Sequence, residues 1–174
     1  MFEPGVLLIG DSVLEGLNIL DYRFGPDTSY DTEVSRSALH LEDVLAEHDL
    51  PDNVVIHLGT NGWWDSTTDA FSQTLQTLED RQVLLVNLRV DRPYAERANL
   101  DIAVLAQTYE HVTLVDWASE ATPDLLRSDG FHPNFDGYDR LARLIADGLG
   151  LPARTVLTPE PAAPSSIPGA VGID

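Results

Sequence analysis

Ser12, Asp129 and His132 are the residues of this chain whose types and spacing suit nucleophilic chemistry. A serine hydroxyl needs a base within hydrogen-bond reach to take its proton, and that base needs a carboxylate to hold it in the right tautomer. The loop Ser128-Asp129-Gly130-Phe131-His132-Pro133-Asn134 carries an aspartate and a histidine three residues apart, just before the last helix. Ser12 follows the apolar run Val6-Leu7-Leu8-Ile9 through a Gly10-Asp11 turn. A helix begins there, and its N-terminus favours anionic species. The same residue types cap helices, so Asp11 with Ser12, and Asp129 with Asn134, have a structural reading beside the chemical one. Of the five histidines, His40, His48 and His111 stand in helical or turn text and read as solvated. His57 stands inside a strand and reads as a satisfied core or rim residue.

Elements that would bring Ser12 and His132 together are legible in the alternation of short apolar runs with stretches of helical period. Strands are expected at Val6–Ile9, Tyr30–Val34, Val54–Leu58, Val83–Leu88 and Val112–Val115, the second of them short, polar and towards an edge. Helices are expected over Val13–Leu20, Ser37–Glu47, Thr67–Asp80, Tyr94–Tyr109 and Phe135–Leu149, with Ser66, Thr67 or Thr68 available to cap the third. Asp21–Ser29 and Asp116–Phe131 read as loop. Strand–helix alternation with buried strands implies a parallel sheet covered on both faces by right-handed crossovers. The fold class is therefore α/β, a three-layer α/β/α sandwich with a five-stranded parallel sheet in the flavodoxin-like order 2-1-3-4-5. Residues 1–150 form the domain, and 151–174, rich in Pro and Ala, read as a disordered or linker-like tail. Ligands of such sheets bind beyond the carboxyl ends of the strands. Ser12, Ser35, Asn61, Asn87, Arg89, Arg92, Asp116 and Trp117 all fall at those ends.

Composition narrows the partners. The formal net charge is −19, and all ten basic residues are arginine. That balance argues against nucleic acid, whose binding rests on clustered positive charge, and against anionic membranes. Without lysine, a phosphate-binding reading of Gly10–Gly16 fails. Without cysteine there is no disulfide, thiolate metal site or thiol nucleophile. No stretch reaches the roughly 20 apolar residues of a membrane helix, and the N-terminus enters the first strand directly. As written the chain reads as cytoplasmic; a detached domain would leave an extracytoplasmic setting open. A metal-dependent phosphoesterase built on Asp11, Asp129 and His132 has too few ligands gathered at this edge, and no metal or cofactor is expected.

Gly10-Asp11-Ser12, Gly59-Thr60-Asn61 and Asp129-x-x-His132, in this order and at the ends of these elements, resemble the blocks of SGNH/GDSL hydrolases. Val55–Gly62, Val86–Tyr94 with Asn99, and Val115-Asp116-Trp117 are similar to the SGNH domains attached to membrane acyltransferases, which include peptidoglycan O-acetyltransferases. The resemblance implies Ser12 as nucleophile, His132 as general base and acid, and Asp129 as the orienting carboxylate. It also implies an oxyanion hole from the Ser12 backbone N–H, the Asn61 side-chain amide and a third donor, Ser35. Here the sequence departs from the family, which usually has glycine, whereas Asp31–Ser37 has none. Serine keeps the N–H but adopts positive φ at greater cost. The implied function is a serine-dependent ester hydrolase or O-acyltransferase acting through an acyl-enzyme on small acyl esters, acetyl above all, of a carbohydrate. A separate membrane acyltransferase component is an implied partner. A non-catalytic carbohydrate-binding module on the same fold is the alternative. Trp63 and Trp64 would stack on a sugar face or pack into the protein. Arg89 and Arg92 would bind a carboxylate or anionic glycan, or pair with nearby aspartates. Asp11 and Asn87 complete the substrate-side set, and Asp116 and Trp117 hold the last strand end.

Overall fold

The computed structural model describes residues 5–151 together with 156–157. The elements are β1 (Val6–Gly10), α1 (Ser12–Ile19), β2 (Arg23–Phe24), β3 (Thr28–Thr32), α2 (Leu41–Ala46) after a 3-10 turn at Ala38–His40, β4 (Asn53–His57), α3 (Asp65–Gln76), β5 (Gln82–Val86), α4 (Ala95–Thr108), β6 (Val112–Val115), α5 (Trp117–Glu120), a 3-10 turn at Pro123–Leu125, α6 (Phe135–Gly148) and β7 (Val156–Leu157). The main sheet runs β3-β1-β4-β5-β6, parallel throughout. Counting only its own strands, that order is the expected 2-1-3-4-5.

The layers follow from the period of two along each strand. Leu7 and Ile9 point to one side with Val54, Ile56, Val83 and Leu85, and there they meet Phe71 and Leu75 of α3 and Ala98, Ile102 and Leu105 of α4. Val6 and Leu8 point to the other with Val55, Leu84 and Val86, against Val13, Leu14 and Leu17 of α1 and Tyr138, Leu141 and Ile145 of α6. Strands apolar on both faces are buried on both faces, which requires helices above and below.

Several boundaries differ from expectation. The edge strand is Thr28–Thr32, two residues earlier than Tyr30–Val34, because the chain turns away after Thr32, where Glu33 N–H donates to Gly10 O (3.1 Å). The expected 37–47 helix is split, a 3-10 turn running into the short α2. α3 begins at Asp65, so Thr67 serves as its third helical residue, its hydroxyl accepting from Trp64 N–H (3.2 Å), and neither Ser66 nor Thr68 caps it. Within the expected loop 21–29, Arg23–Phe24 pair antiparallel with Val156–Leu157. The rest of the tail expectation lies outside the described residues. α5 interrupts the expected loop 116–131, capped by Asp116, whose carboxylate accepts from Ser119 N–H and Oγ–H (3.3 and 2.7 Å).

Two glycines set close approaches of α6, one to α1 and one to the 3-10 turn at Pro123–Leu125. A Cβ on Gly16 would fall 1.9 Å from Tyr138 Oη, and one on Gly137 would fall 2.1 Å from Leu125 O. Only hydrogen fits at either place. The N-terminal end of α1, bearing Ser12, is thereby packed beside the loop that enters α6.

Candidate active site

Ser12 is the first residue of α1 and half-buried. Its Oγ is 2.9 Å from His132 Nε2, and His132 Nδ1 is 2.9 Å from Asp129 Oδ2. With Asp129 accepting from Nδ1–H, the Nε2 lone pair faces the serine hydroxyl, the tautomer a base needs. Asp129 Oδ1 accepts the backbone N–H groups of Phe131 and His132 (3.1 and 3.0 Å). Partial burial pushes the Asp129 carboxyl up, but these N–H groups and the His132 ring outweigh it and hold the pKa below the usual aspartate range. It therefore stays ionised near neutrality.

The loop bearing this pair is sewn to itself. Arg127 N–H donates to His132 O (2.8 Å), Arg127 Nε to Pro133 O (3.2 Å), and Leu126 bridges Pro133. Gly130 takes φ +79° at its tip. The Phe131 ring lies against the imidazole, centroids 4.0 Å apart. Asn134 caps α6 by accepting from Gly137 N–H (2.9 Å). The capping and chemical readings of this loop are thus divided between Asn134 and Asp129.

Beneath the serine, Asp11 is fully buried and caps α1, accepting from Val13 N–H (3.1 Å). Its Oδ1 lies 3.4 Å from Nδ1 of the equally buried His57. Burial raises the Asp11 carboxyl; the His57 ring and the Val13 N–H outweigh that and lower it. Asp11 therefore corrects the substrate-side expectation, because its carboxylate faces the interior. His57 departs from the satisfied reading: among the described residues its Nε2 has no hydrogen-bond partner, and its Nδ1 has only the 3.4 Å contact with Asp11.

Ser35 has φ +66°, the left-handed conformation in which glycine is the cheap residue. The next residue, Arg36, anchors this turn. Its buried guanidinium donates to Asp31 O and Oδ1 (both 2.6 Å) and to Gly10 O (3.4 Å), and it lies 3.5 Å from Glu33. Asp31 also contacts His48 Nε2 at 2.7 Å, so His48 is not simply solvated. Nor is His111, whose ring nitrogen meets Leu75 O at 3.0 Å. Burial raises the Asp31 carboxyl, and its bonds to His48 and Arg36 more than reverse that. Asn61 Nδ2 donates to Arg36 O (3.2 Å) with one N–H and retains another. Arg36 thus joins the strand end before Ser12, the Ser35 turn and the Asn61 amide. The expected site does not include Arg36; its signal in the sequence is an arginine directly after a candidate donor in an acid-rich segment.

The remaining substrate-side residues divide. Trp63 is buried, its ring 5.1 Å from Phe71 and its Nε1–H donating to Asp101 and Thr68 (3.0 and 3.2 Å), so it packs rather than faces a sugar. Trp64 is exposed and lies over Gly62, where a Cβ would meet the indole at 2.3 Å. Asn87 is buried, bridging Asp116 Oδ1 (2.6 Å) and Ala118 N–H (2.7 Å), and so supports the strand end instead of a substrate. Asp116 caps α5, and Trp117 is fully buried beside them. Arg89 and Arg92 are exposed, with no carboxylate within 4.0 Å among the described residues. Among the described residues, no three histidine or acidic side chains gather in a way that could hold a metal ion.

No protein-family model matches the chain. It is 33% identical over 150 residues to YrhL of Bacillus subtilis, whose name as a peptidoglycan O-acetyltransferase is provisional; the match spans 83% of this chain and 23% of that protein. It is 32% identical over 146 residues to the O-acetyltransferase OatA of Staphylococcus aureus, spanning 80% of this chain and 24% of the relative. The chain thus spans about a quarter of the length of the curated relatives it matches. Its fold is shared with the C-terminal catalytic domain of peptidoglycan O-acetyltransferase A of Streptococcus pneumoniae, at TM-score 0.65 and 20% identity, covering 91% of this chain and 98% of that one. A chain from Parabacteroides merdae described as a GDSL-like lipase aligns at TM-score 0.68 and 16% identity, over 87% and 98%.

Proposed function

We propose, from the place of this chain among SGNH/GDSL-type domains and its relationship to one part of the bacterial O-acetyltransferases, that it carries out acyl-ester chemistry through Ser12. The observation that carries this reading is the unbroken chain Ser12 Oγ–His132–Asp129, with both contacts at 2.9 Å. Ser12 Oγ attacks the ester carbonyl as its proton passes to His132 Nε2. The tetrahedral oxyanion receives the Ser12 backbone N–H, the free Asn61 amide N–H and the Ser35 backbone N–H. Collapse breaks the bond to the alcohol, which leaves with the proton from His132. Water or a second hydroxyl, deprotonated by His132, then attacks the acyl-enzyme; the Ser12 Oγ–acyl bond breaks, His132 returns the proton to Ser12 Oγ, and acid or a new ester leaves. Asp129 stays anionic throughout and stabilises the imidazolium.

The acyl group we assign is acetyl and its carrier a glycan, supported by the names of the relatives; peptidoglycan is the first to test. That substrate favours the extracytoplasmic alternative and leaves room for a membrane acyltransferase partner supplying acetyl groups. Exposed Trp64, three residues after Asn61, is the aromatic face suited to a sugar ring.

The test uses purified protein with p-nitrophenyl esters of rising chain length, with and without glycan acceptors, and a fluorophosphonate probe. Acetyl ester turnover lost in Ser12→Ala, and labelling confined to Ser12, are expected. Full turnover by Ser12→Ala would overturn the reading. Acceptor-dependent acetylated product marks a transferase, whereas release of acetate indifferent to acceptor marks an esterase.

A further inference from the structure

Arginine pairing in this chain is uneven, and the unevenness is placed. With 29 acidic residues to 10 arginines, a carboxylate partner is the default for each guanidinium. Among the described residues Arg23, Arg36, Arg81, Arg97, Arg140 and Arg143 each have a carboxylate within 4.0 Å. Arg89, Arg92 and Arg127 have none, although Asp91 lies between the first two and Asp129 two residues from the third.

All three stand on loops that build the candidate site. Arg89 and Arg92 follow β5, the strand next to β4, whose end carries Asn61. That loop is held in place: Asn99 clasps Leu88 N–H and C=O (2.8 and 2.9 Å), and Tyr94 Oη donates to Thr60 O (2.5 Å), the residue before Asn61. Arg127 is on the loop of Asp129 and His132. Its Nε is spent on Pro133 O, and the residue lines a recess of about 290 Å³ with Asn134 and the exposed Phe135. Guanidinium forks left without carboxylates, on loops whose backbone is held in this way, match planar or tetrahedral oxyanions. In a chain of net charge −19, whose field repels anions, such local cations are what an anionic ligand would need.

We propose that Arg89, Arg92 and Arg127 recognise carboxylate or phosphate groups on the molecule that bears or receives the acyl group at Ser12. This rests on the ester-chemistry reading of Ser12 and adds to it that the carrier is anionic. A neutral O-acetylated glycan is the poorer substrate.

The experiment compares three O-acetylated sugars: one neutral, one bearing a carboxylate and one bearing a phosphate. The quantity read is the ratio of kcat/KM for each anionic ester over the neutral one. A ratio of about ten or more is expected for at least one anion. It should fall towards one in Arg89→Gln, Arg92→Gln or Arg127→Gln, and stay as in wild type in Arg143→Gln, whose guanidinium is engaged by Asp139. Which anion gives the high ratio identifies the group. A ratio near one in wild type, or one that the three substitutions leave unmoved, overturns the proposal. If wild type turns over none of the esters, the Ser12 reading fails on its own, and calorimetric binding of the unacetylated carboxylated and phosphorylated sugars still tests the arginines: saturable binding weakened by the three substitutions supports them, and no binding overturns them.

Discussion

At Ser12, His132 and Asn61 the chemistry makes separable demands. Ser12→Ala and His132→Ala should each leave only residual acetyl ester turnover, since nucleophile and base act as a unit. Asn61→Ala removes a donor and should cost on the order of 10²–10³ in kcat with KM little changed, because the bond is realised in the transition state. Steady-state kinetics on p-nitrophenyl acetate reads all three, and an Asn61→Ala enzyme within a few-fold of wild type would remove that residue from the oxyanion hole. Ser35 carries a different signature. At φ +66° a β-branched side chain is strained by about 1–2 kcal/mol, while glycine sits at ease. Ser35→Gly should keep both activity and thermal midpoint, and Ser35→Val should lower both; equal behaviour of the two would mean that the left-handed turn does not matter to the site.

Among the elements, the contact of α1 with α6 brings the nucleophile to its base. Gly16→Ala puts a methyl group inside the volume of the buried Tyr138 ring, so the ring or one of the two helices must shift. Overpacking of this kind costs roughly 1–3 kcal/mol, and here it should also lower kcat by lengthening the 2.9 Å contact between Ser12 and His132. Thermal denaturation and ester turnover should fall together, and both should partly recover when Tyr138 is shortened to leucine in the same chain. The edge strand β3 depends on Arg36 in the same way. Arg36→Met frees the Ser35 turn and the Asn61 amide at once, so kcat should drop about tenfold or more with a smaller change in KM, and Arg36→Lys should restore part of it. A KM effect alone would instead make Arg36 a substrate contact. Such couplings mark the limit of what was legible in the sequence. Val6–Ile9, Val54–Leu58 and Val83–Leu88 announced buried parallel strands because their period of two is apolar on both faces. Ser12, Asn61, Asp129 and His132 stood out because polar residues at strand ends converge on one edge. Thr28–Thr32 misled by its register, since an edge strand of mixed polarity carries no strong period. Trp63 stays open between sugar and core, and Asn87 reads as substrate-side, because residue type does not reveal which face of a loop is buried. The Gly16–Tyr138 contact, 122 residues apart in sequence, is a matter of helix packing that no local pattern encodes.

Taken whole, the molecule balances self-repulsion against a few well-placed carboxylates. At net charge −19 compaction brings like charges together, so added salt should raise the thermal midpoint at neutral pH, by screening over distances of about 10 Å at 0.1 M. Acid works in two opposed ways. Protonation of surface carboxylates relieves repulsion, and the benefit of salt should shrink as the pH falls towards the carboxylate range. Asp31, Asp101, Asp116 and Asp129 oppose this. Each is pushed up by burial and brought below the ordinary value of 3.8 by its partners: His48 and Arg36, Thr68 and Trp63, Asn87 and Ser119, and the Phe131 N–H with the His132 ring, respectively. A folded-state pKa below the unfolded one means that the unfolded chain takes up protons first. The stability these groups contribute is complete above about pH 4 to 5 and is lost as the pH falls through their lowered values. The thermal midpoint in low salt should therefore hold or rise from pH 7 towards pH 5 and fall steeply below pH 4. Asp116→Asn, which weakens the cap of α5 and the bond from Asn87, should flatten part of the acid limb while lowering the neutral plateau. A midpoint that climbs steadily to pH 3 would show that repulsion outweighs these pairs, and that the carboxylates around the candidate site contribute geometry rather than stability.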